Sequence, residues 1–261
     1  MRGALRTLQV LRALNEHNCT TVLELSRHTG ISRAALYRML ETLREAGYVT
    51  LDLSGKHYCL TRLVQSLSSG FTPNKWIEEI ARPALRALQR EILWPVDLGT
   101  FMDNAMWICE TTRVPSTLPG VRGNAGARAP ILRCATGRAY LAWCTNENAE
   151  RIRQALIAAQ EPGFELVRQP ALFEAMRAQT RERGYGMRWN EEPIDTGAIA
   201  VPIIARDRIF GCINVSFMRR SITPGELAGQ CLEAMRSTAA SIAVEAERLG
   251  KNAAATRTLQ L

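Results

Sequence analysis

Apolar residues along the first quarter of the chain recur at helical spacing. Leu5, Leu8, Leu11 and Leu14 lie three apart and predict a first helix with one apolar face. A second helix is expected from Val22 to Thr29, with Val22, Leu25 and Ser26 inward. Thr21 and Glu24 stand at the spacing of a capping box, and Gly30 suits the left-handed turn that ends a helix. Ser32 can cap a third helix from Arg33 to Ala46, whose apolar positions are Leu36, Met39, Leu40 and Leu43. Gly47 stops it. Tyr48 to Leu51, a turn at Asp52 to Gly55, and Lys56 to Leu60 then predict a β-hairpin. Three short helices and a hairpin are the layout of a winged helix-turn-helix.

The pattern changes after residue 62. Ser68, Ser69, Gly70 and Pro73 mark a connector. The expected division is a winged helix-turn-helix over 1–62, a linker over 63–75, a second domain over 76–250 and a flexible tail over 251–261. The second domain mixes periods. Trp76 to Ile92 predicts an amphipathic helix, and Val96 to Met102 with Met106 to Thr112 predict paired strands. Pro115 to Pro130, rich in Gly and Pro, predicts a loop or lid. Helices follow at Thr136 to Cys144, Glu147 to Gln160 and Pro170 to Arg183. A hairpin from Ile199 to Phe217 and a last helix from Thr223 to about Leu249 complete the region. The class is therefore α+β.

Charge adds a direction to this picture. The chain of 261 residues carries a net charge of +8. Residues 1–70 hold nine Lys/Arg and five acids, half of that surplus in about a quarter of the length. A dense positive charge is what phosphate binding requires. No apolar run is long enough to predict a membrane span, and the N-terminus does not read as a signal peptide, so a cytoplasmic protein is expected. The seven cysteines are odd in number, widely spaced and without a CxxC pair. They predict reduced, buried thiols rather than a disulfide framework or a zinc site.

The chemistry follows from which residue types are available. An α-helix fits the major groove, so Ser32, Arg33, Ala34, Tyr37 and Arg38 on the third helix are candidates for contact with a double-stranded DNA operator. Lys56 and His57 at the hairpin tip are candidates for backbone or minor-groove contacts. All three histidines lie at or before residue 57. The second domain therefore has no Ser–His or Cys–His pair and no histidine-based metal site. No phosphate-loop or dinucleotide motif occurs, and neither cofactor nor metal is expected. A binding site is better supported than catalysis. Arg133, Cys134, Thr136, Gly137 and Arg138 lead from an extended stretch into a helix, whose amide end and arginines would suit a carboxylate. Five tryptophans (Trp76, Trp94, Trp107, Trp143 and Trp189) offer walls for an aromatic ligand. Two alternatives stay open: a second domain that only oligomerises, and a thiol enzyme built on Cys134.

These residues carry a resemblance. Leu25-Ser26, Gly30-Ile31-Ser32, Tyr37-Arg38, Leu40-Glu41-Thr42-Leu43 and Gly47-Tyr48-Val49 resemble the IclR family of bacterial transcription regulators. So do Ala135 to Ala139, Gly184-Tyr185, Ile199 to Pro202 and Gly211 to Ser216. The resemblance implies a winged helix followed by a GAF-like effector domain, an antiparallel sheet flanked by helices. It implies no enzymatic activity, and self-association through the N-terminal domains as a dimer or tetramer. It further implies an effector pocket at the Thr136-Gly137-Arg138 helix start, the loop around Arg188 and Trp189, Ala198, Asn214 and Ser216. Trp94 to Asp97 and Cys109 to Thr112 resemble the MhpR-type activators, which control catabolism of hydroxyphenylpropionate and related aromatic acids. A small, aromatic carboxylate effector is the corresponding expectation.

Overall fold

A computed structural model describes residues 2–67, 75–113, 125–161, 163–189, 195–206 and 208–258, with side chains from 3 to 249. The chain separates into two compact units, Met1–Thr72 and Pro73–Leu261.

The first unit holds helices α1 (Arg2–Glu16), α2 (Val22–Thr29) and α3 (Arg33–Glu45). Strands β1 (Val49–Leu51) and β2 (Tyr58–Leu60) and a turn of helix, α4 (Leu63–Ser66), follow. Val10, Leu14, Val22, Leu25, Leu36, Leu40, Leu43 and Val49 form its core. The leucine stripe expected on α1 does not form. Leu5 and Leu8 are 65% and 59% exposed, and the buried residues are Val10, Ala13 and Leu14. A step of three residues falls about 60° short of a turn, so four leucines spaced by three spread over half the helix circumference. The capping box at Thr21 and Glu24 is present, and Gly30 ends α2 at φ +68°. The cysteine expectation also needs correction. Cys19, between α1 and α2, is joined to Cys59 on β2 in a disulfide. Proximity in sequence could not reveal this pair, because the wing folds back over a separation of 40 residues. The expected linker contains α4, and its residues 68–74 lie outside the described residues.

The second unit opens with a π-helical turn, Ile77–Ala81, running into α5 (Arg82–Ile92). Strands β3 (Val96–Met102) and β4 (Ala105–Thr111) are joined through Asp103 and Asn104. Both take positive φ, 50° and 58°, as a two-residue hairpin turn requires. Then come β5 (Arg128–Pro130), a 3-10 turn at Ile131–Arg133, α6 (Ala135–Trp143), α7 (Asn146–Ala159), α8 (Phe164–Arg168) and α9 (Pro170–Arg183). Strands β6 (Gly186–Arg188), β7 (Thr196–Ala205) and β8 (Arg208–Met218) lead to α10 (Pro224–Thr258). Among the described residues, six strands form one antiparallel sheet in the order β5-β4-β3-β8-β7-β6.

Each face of that sheet has its own core. On one, Leu98, Val201, Ile213, Val215 and Phe217 pack against Leu85 and Leu88 of α5 and Leu227, Met235 and Ile242 of α10. On the other, Met106, Ala198, Ala200 and Cys212 meet Ala135, Ala139 and Leu141 of α6, with α7 and α9 behind. Three differences from expectation stand out. Strands β5 and β6 were not foreseen, and β5 takes up the end of the expected lid, whose residues 115–124 lie outside the described residues. The last helix continues to Thr258, through most of the expected flexible tail. The run Ala253-Ala254-Ala255 has high helix propensity, which accounts for the continuation.

Candidate DNA-reading surface and effector site

Helix α3 turns Leu36, Leu40 and Leu43 into the core. Ser32, Arg33, Ala34, Tyr37 and Arg38 are thereby left exposed on its outer side. Ser32 sits at the N-cap but makes no capping bond with its hydroxyl, and the first turn holds no acid. The positive end of the helix is thus open to a phosphate. At the wing, Asp52 organises the turn. Its carboxylate accepts from the backbone N–H groups of Lys56 and His57, both at 3.2 Å, and from the Ser54 hydroxyl at 2.8 Å. The Ser54 hydroxyl, then the His57 and Lys56 N–H groups, hold the Asp52 carboxyl well below the usual carboxylate range. Lys56 projects outward. His57, the other residue expected at the tip, has its Nδ1 2.9 Å from Asp52 and helps close the turn.

In the second unit, strand register decides which side chains meet. Arg188 pairs with Ala198, and Ala198 with Ser216. The neighbouring row runs Gly186, Ala200, Asn214, Asp97 and Thr111. Both rows face α6. Glycine allows the close approach, since a Cβ on Gly186 would lie 2.1 Å from the Ala135 carbonyl; Gly137 instead lets the start of α6 fold against the preceding 3-10 turn, where a Cβ would lie 1.9 Å from the Ile131 carbonyl. The rows carry a buried polar network. Asp97 accepts from Thr111 at 2.7 Å, from Asn214 at 3.1 Å and from the Arg113 guanidinium at 3.4 Å. Asn214 also donates to Ser216 at 2.9 Å. Arg188, 8% exposed, donates to the carbonyl and hydroxyl of Thr196. At the start of α6, Cys134 accepts from the Gly137 N–H at 3.3 Å and the Thr136 hydroxyl at 3.4 Å. Burial raises the Cys134 thiol above its ordinary pKa despite those bonds and the nearby Arg138 and Arg188. Such a shift disfavours the thiolate, which is the nucleophilic form.

The family models supply the deciding observation. Residues 3–53 match the IclR helix-turn-helix domain, and residues 72–244 match the bacterial transcriptional regulator IclR C-terminal domain. The chain belongs to the IclR family. It is a DNA-binding transcriptional regulator, and the relatives below are regulators rather than enzymes. The HTH-type transcriptional regulator KdgR of Escherichia coli strain K12 is 25% identical over 216 residues, covering 82% of this chain and 81% of KdgR. The Pca regulon regulatory protein of Pseudomonas putida is 27% identical over 231 residues, covering 87% and 78%. Among solved structures, an IclR homologue from Microbacterium hydrocarbonoxydans complexed with 4-hydroxybenzoate superposes with a TM-score of 0.60. At 17% identity over 93% of this chain and 98% of that one, the likeness is one of fold.

In this IclR-family chain, Cys134, Thr136, Gly137, Ala198, Asn214 and Ser216 gather where α6 crosses the sheet. Three expected residues have other surroundings or other partners. Arg133 is exposed and lies beside Gly163. Arg138 is a strut, donating to the carbonyls of Leu132 and Met187 at 3.3 and 2.8 Å. Trp189 lies on the opposite face, stacked on Phe217 with ring centroids 6.0 Å apart and beneath the Arg219 guanidinium. Its neighbour Arg188 takes the inward place, because adjacent strand residues point to opposite faces. Asp97, Thr111 and Arg113 were missed as site residues. The available signal was an acid set among apolar strand residues in Val96-Asp97-Leu98-Gly99.

Proposed function

We propose that this regulator couples operator binding to a small carboxylic acid, an aromatic hydroxy acid of the kind met in catabolic pathways. The observation that carries the reading is the pair of neighbouring polar rows at the α6 crossing, one basic at Arg188 and the other acidic at Asp97. The effector's carboxylate would face Arg188 and the positive end of α6. A ring hydroxyl would donate to the Asp97–Asn214–Ser216 network. The names of two relatives support this, one a regulator of the Pca regulon and the other an IclR homologue complexed with 4-hydroxybenzoate. The resemblance of Trp94 to Asp97 and Cys109 to Thr112 to MhpR-type activators points the same way. A ligand of this kind acts by binding one DNA-competent arrangement more tightly than another. The exposed Leu5 and Leu8 face of α1 supplies the surface for self-association of the DNA-reading units.

Titration calorimetry of the full chain with 4-hydroxybenzoate, 3-(3-hydroxyphenyl)propionate and an aliphatic keto acid tests the reading. Binding of an aromatic hydroxy acid that weakens in Asn214→Ala and survives in Trp189→Phe is expected. No heat and no thermal shift with any of the three would favour a second domain that only oligomerises.

A further inference from the structure

We propose that Cys19 and Cys59 form a redox-modification site in the DNA-reading unit, oxidised by a hydroperoxide to the disulfide that fixes the wing. Three observations meet there. The pair is covalently joined, with Cα atoms 4.1 Å apart. Cys19 is exposed in the loop before α2, at φ +59°, while Cys59 is buried on β2 at 9% exposure. The surrounding backbone holds the two together without the S–S bond. Thr20 and Tyr58 exchange N–H to carbonyl bonds at 3.1 and 2.9 Å, and the Asn18 side chain accepts from the Leu60 N–H at 2.9 Å. The thiols of the reduced form are therefore placed for reaction before any oxidant arrives.

The unequal exposure assigns the roles. The Cys19 thiolate attacks one peroxide oxygen, the O–O bond breaks, and the other oxygen leaves as alcohol or water. Cys19 becomes a sulfenic acid. The Cys59 sulfur then attacks the Cys19 sulfur, the S–O bond breaks, and the oxygen departs as water with the protons of the two groups. Two thiols are oxidised by two electrons in total, and one peroxide is reduced. In a reducing compartment such a pair rests as a dithiol, so its oxidation is a signal rather than a scaffold.

The consequence lies in the wing. Each of its strands has three residues, and beyond the Thr20–Tyr58 and Asn18–Leu60 hydrogen bonds a hairpin of that size has little to order its tip. Lys56 rides on its tip. A bond from β2 to the loop before α2 orders the wing beforehand, so less ordering remains to be done on the operator. Oxidation should therefore tighten DNA binding, and by linkage DNA should make the disulfide harder to reduce by the same factor. This does not depend on the effector reading, since both cysteines lie in the first unit.

The test uses the full chain without effector and a labelled operator fragment, by fluorescence anisotropy at fixed salt. Wild type is treated with hydrogen peroxide or dithiothreitol, and thiols are counted by alkylation and peptide mass mapping. The expected result is loss of label at Cys19 and Cys59 together, with operator affinity higher by on the order of fivefold or more in the oxidised protein. Cys19→Ser, at an exposed position, should bind like reduced wild type and ignore peroxide. Both cysteines still labelling after peroxide would overturn the proposal, as would a disulfide that leaves affinity unchanged. A peroxide response that persists in Cys19→Ser would move the effect to another thiol and equally overturn it. The comparison of oxidised with reduced wild type decides the matter even if the variant fails to fold.

Discussion

Arg38 shows what a single residue contributes to the output of this regulator. It stands on the outer side of α3, away from the leucines that fix the helix. If it reads a base edge, Arg38→Ala should weaken operator binding by about 1–3 kcal/mol and relax specificity at one position. Lys56→Ala should instead weaken all sequences alike and reduce the salt slope by about one. Anisotropy titrations at several salt concentrations separate the two, and an unchanged affinity for Arg38→Ala would remove that residue from recognition. Glu24 makes a different residue-scale point. The Thr21 backbone N–H, then the Thr20 and Thr21 hydroxyls, lower its pKa from 4.5 to about 2. A depressed carboxylate pKa stabilises the fold above the unfolded value and loses that contribution as pH falls through the folded one. Melts of the wild type should thus lose a component of stability between pH 4.5 and about 2 that Glu24→Gln lacks throughout. Identical pH profiles for the two proteins would contradict the capping role. Both residues were legible in the sequence, because capping and outward helical positions depend on neighbours three or four places away.

Elements were legible where length showed a period or, as for the three-residue strands β1 and β2, where a turn at Asp52 to Gly55 marked them. The long helices and the paired strands β3–β4 and β7–β8 carry enough positions to show a period. Strands β5 and β6 have three residues each, too few to show alternation. What makes β6 a strand is its register with Ala198–Ala200 of β7 and the helix α6 resting on it. The same register decides that Arg188 faces α6 while Trp189 turns away. A one-residue slip would exchange them, and nothing local to the pair forbids it. Glycine at 186 permits the approach of α6. Gly186→Ala places a Cβ against backbone atoms at 2.1 and 2.6 Å, which no side-chain rotation can relieve. Overpacking of this kind costs about 1–3 kcal/mol or more. Thermal melts should show Gly186→Ala clearly destabilised, with effector binding lost along with the α6 contact. An unchanged melting temperature would mean that α6 does not rest on β6 as described.

At the scale of the whole molecule, the proposed function divides the work between a DNA-reading first unit and a ligand-sensing second unit. Leu5 and Leu8 are left exposed by the core of the first unit, which uses Val10, Ala13 and Leu14 instead. Changing both to Glu should lower the molecular mass seen in sedimentation while the helical signal is retained. A mass equal to that of the wild type would place self-association elsewhere. The sequence by itself determined the winged helix-turn-helix, the α+β class of the second unit and its lack of histidine chemistry. Those follow from periodicity, caps and composition, which are local or additive. Tertiary structure alone decided that Cys19 meets Cys59, that Asp97, Thr111 and Asn214 share one row, and that Arg188 replaces Trp189 at the α6 crossing. Each depends on strand register or on a chain reversal between distant segments, and one-dimensional patterns do not encode which of two faces a partner will cover.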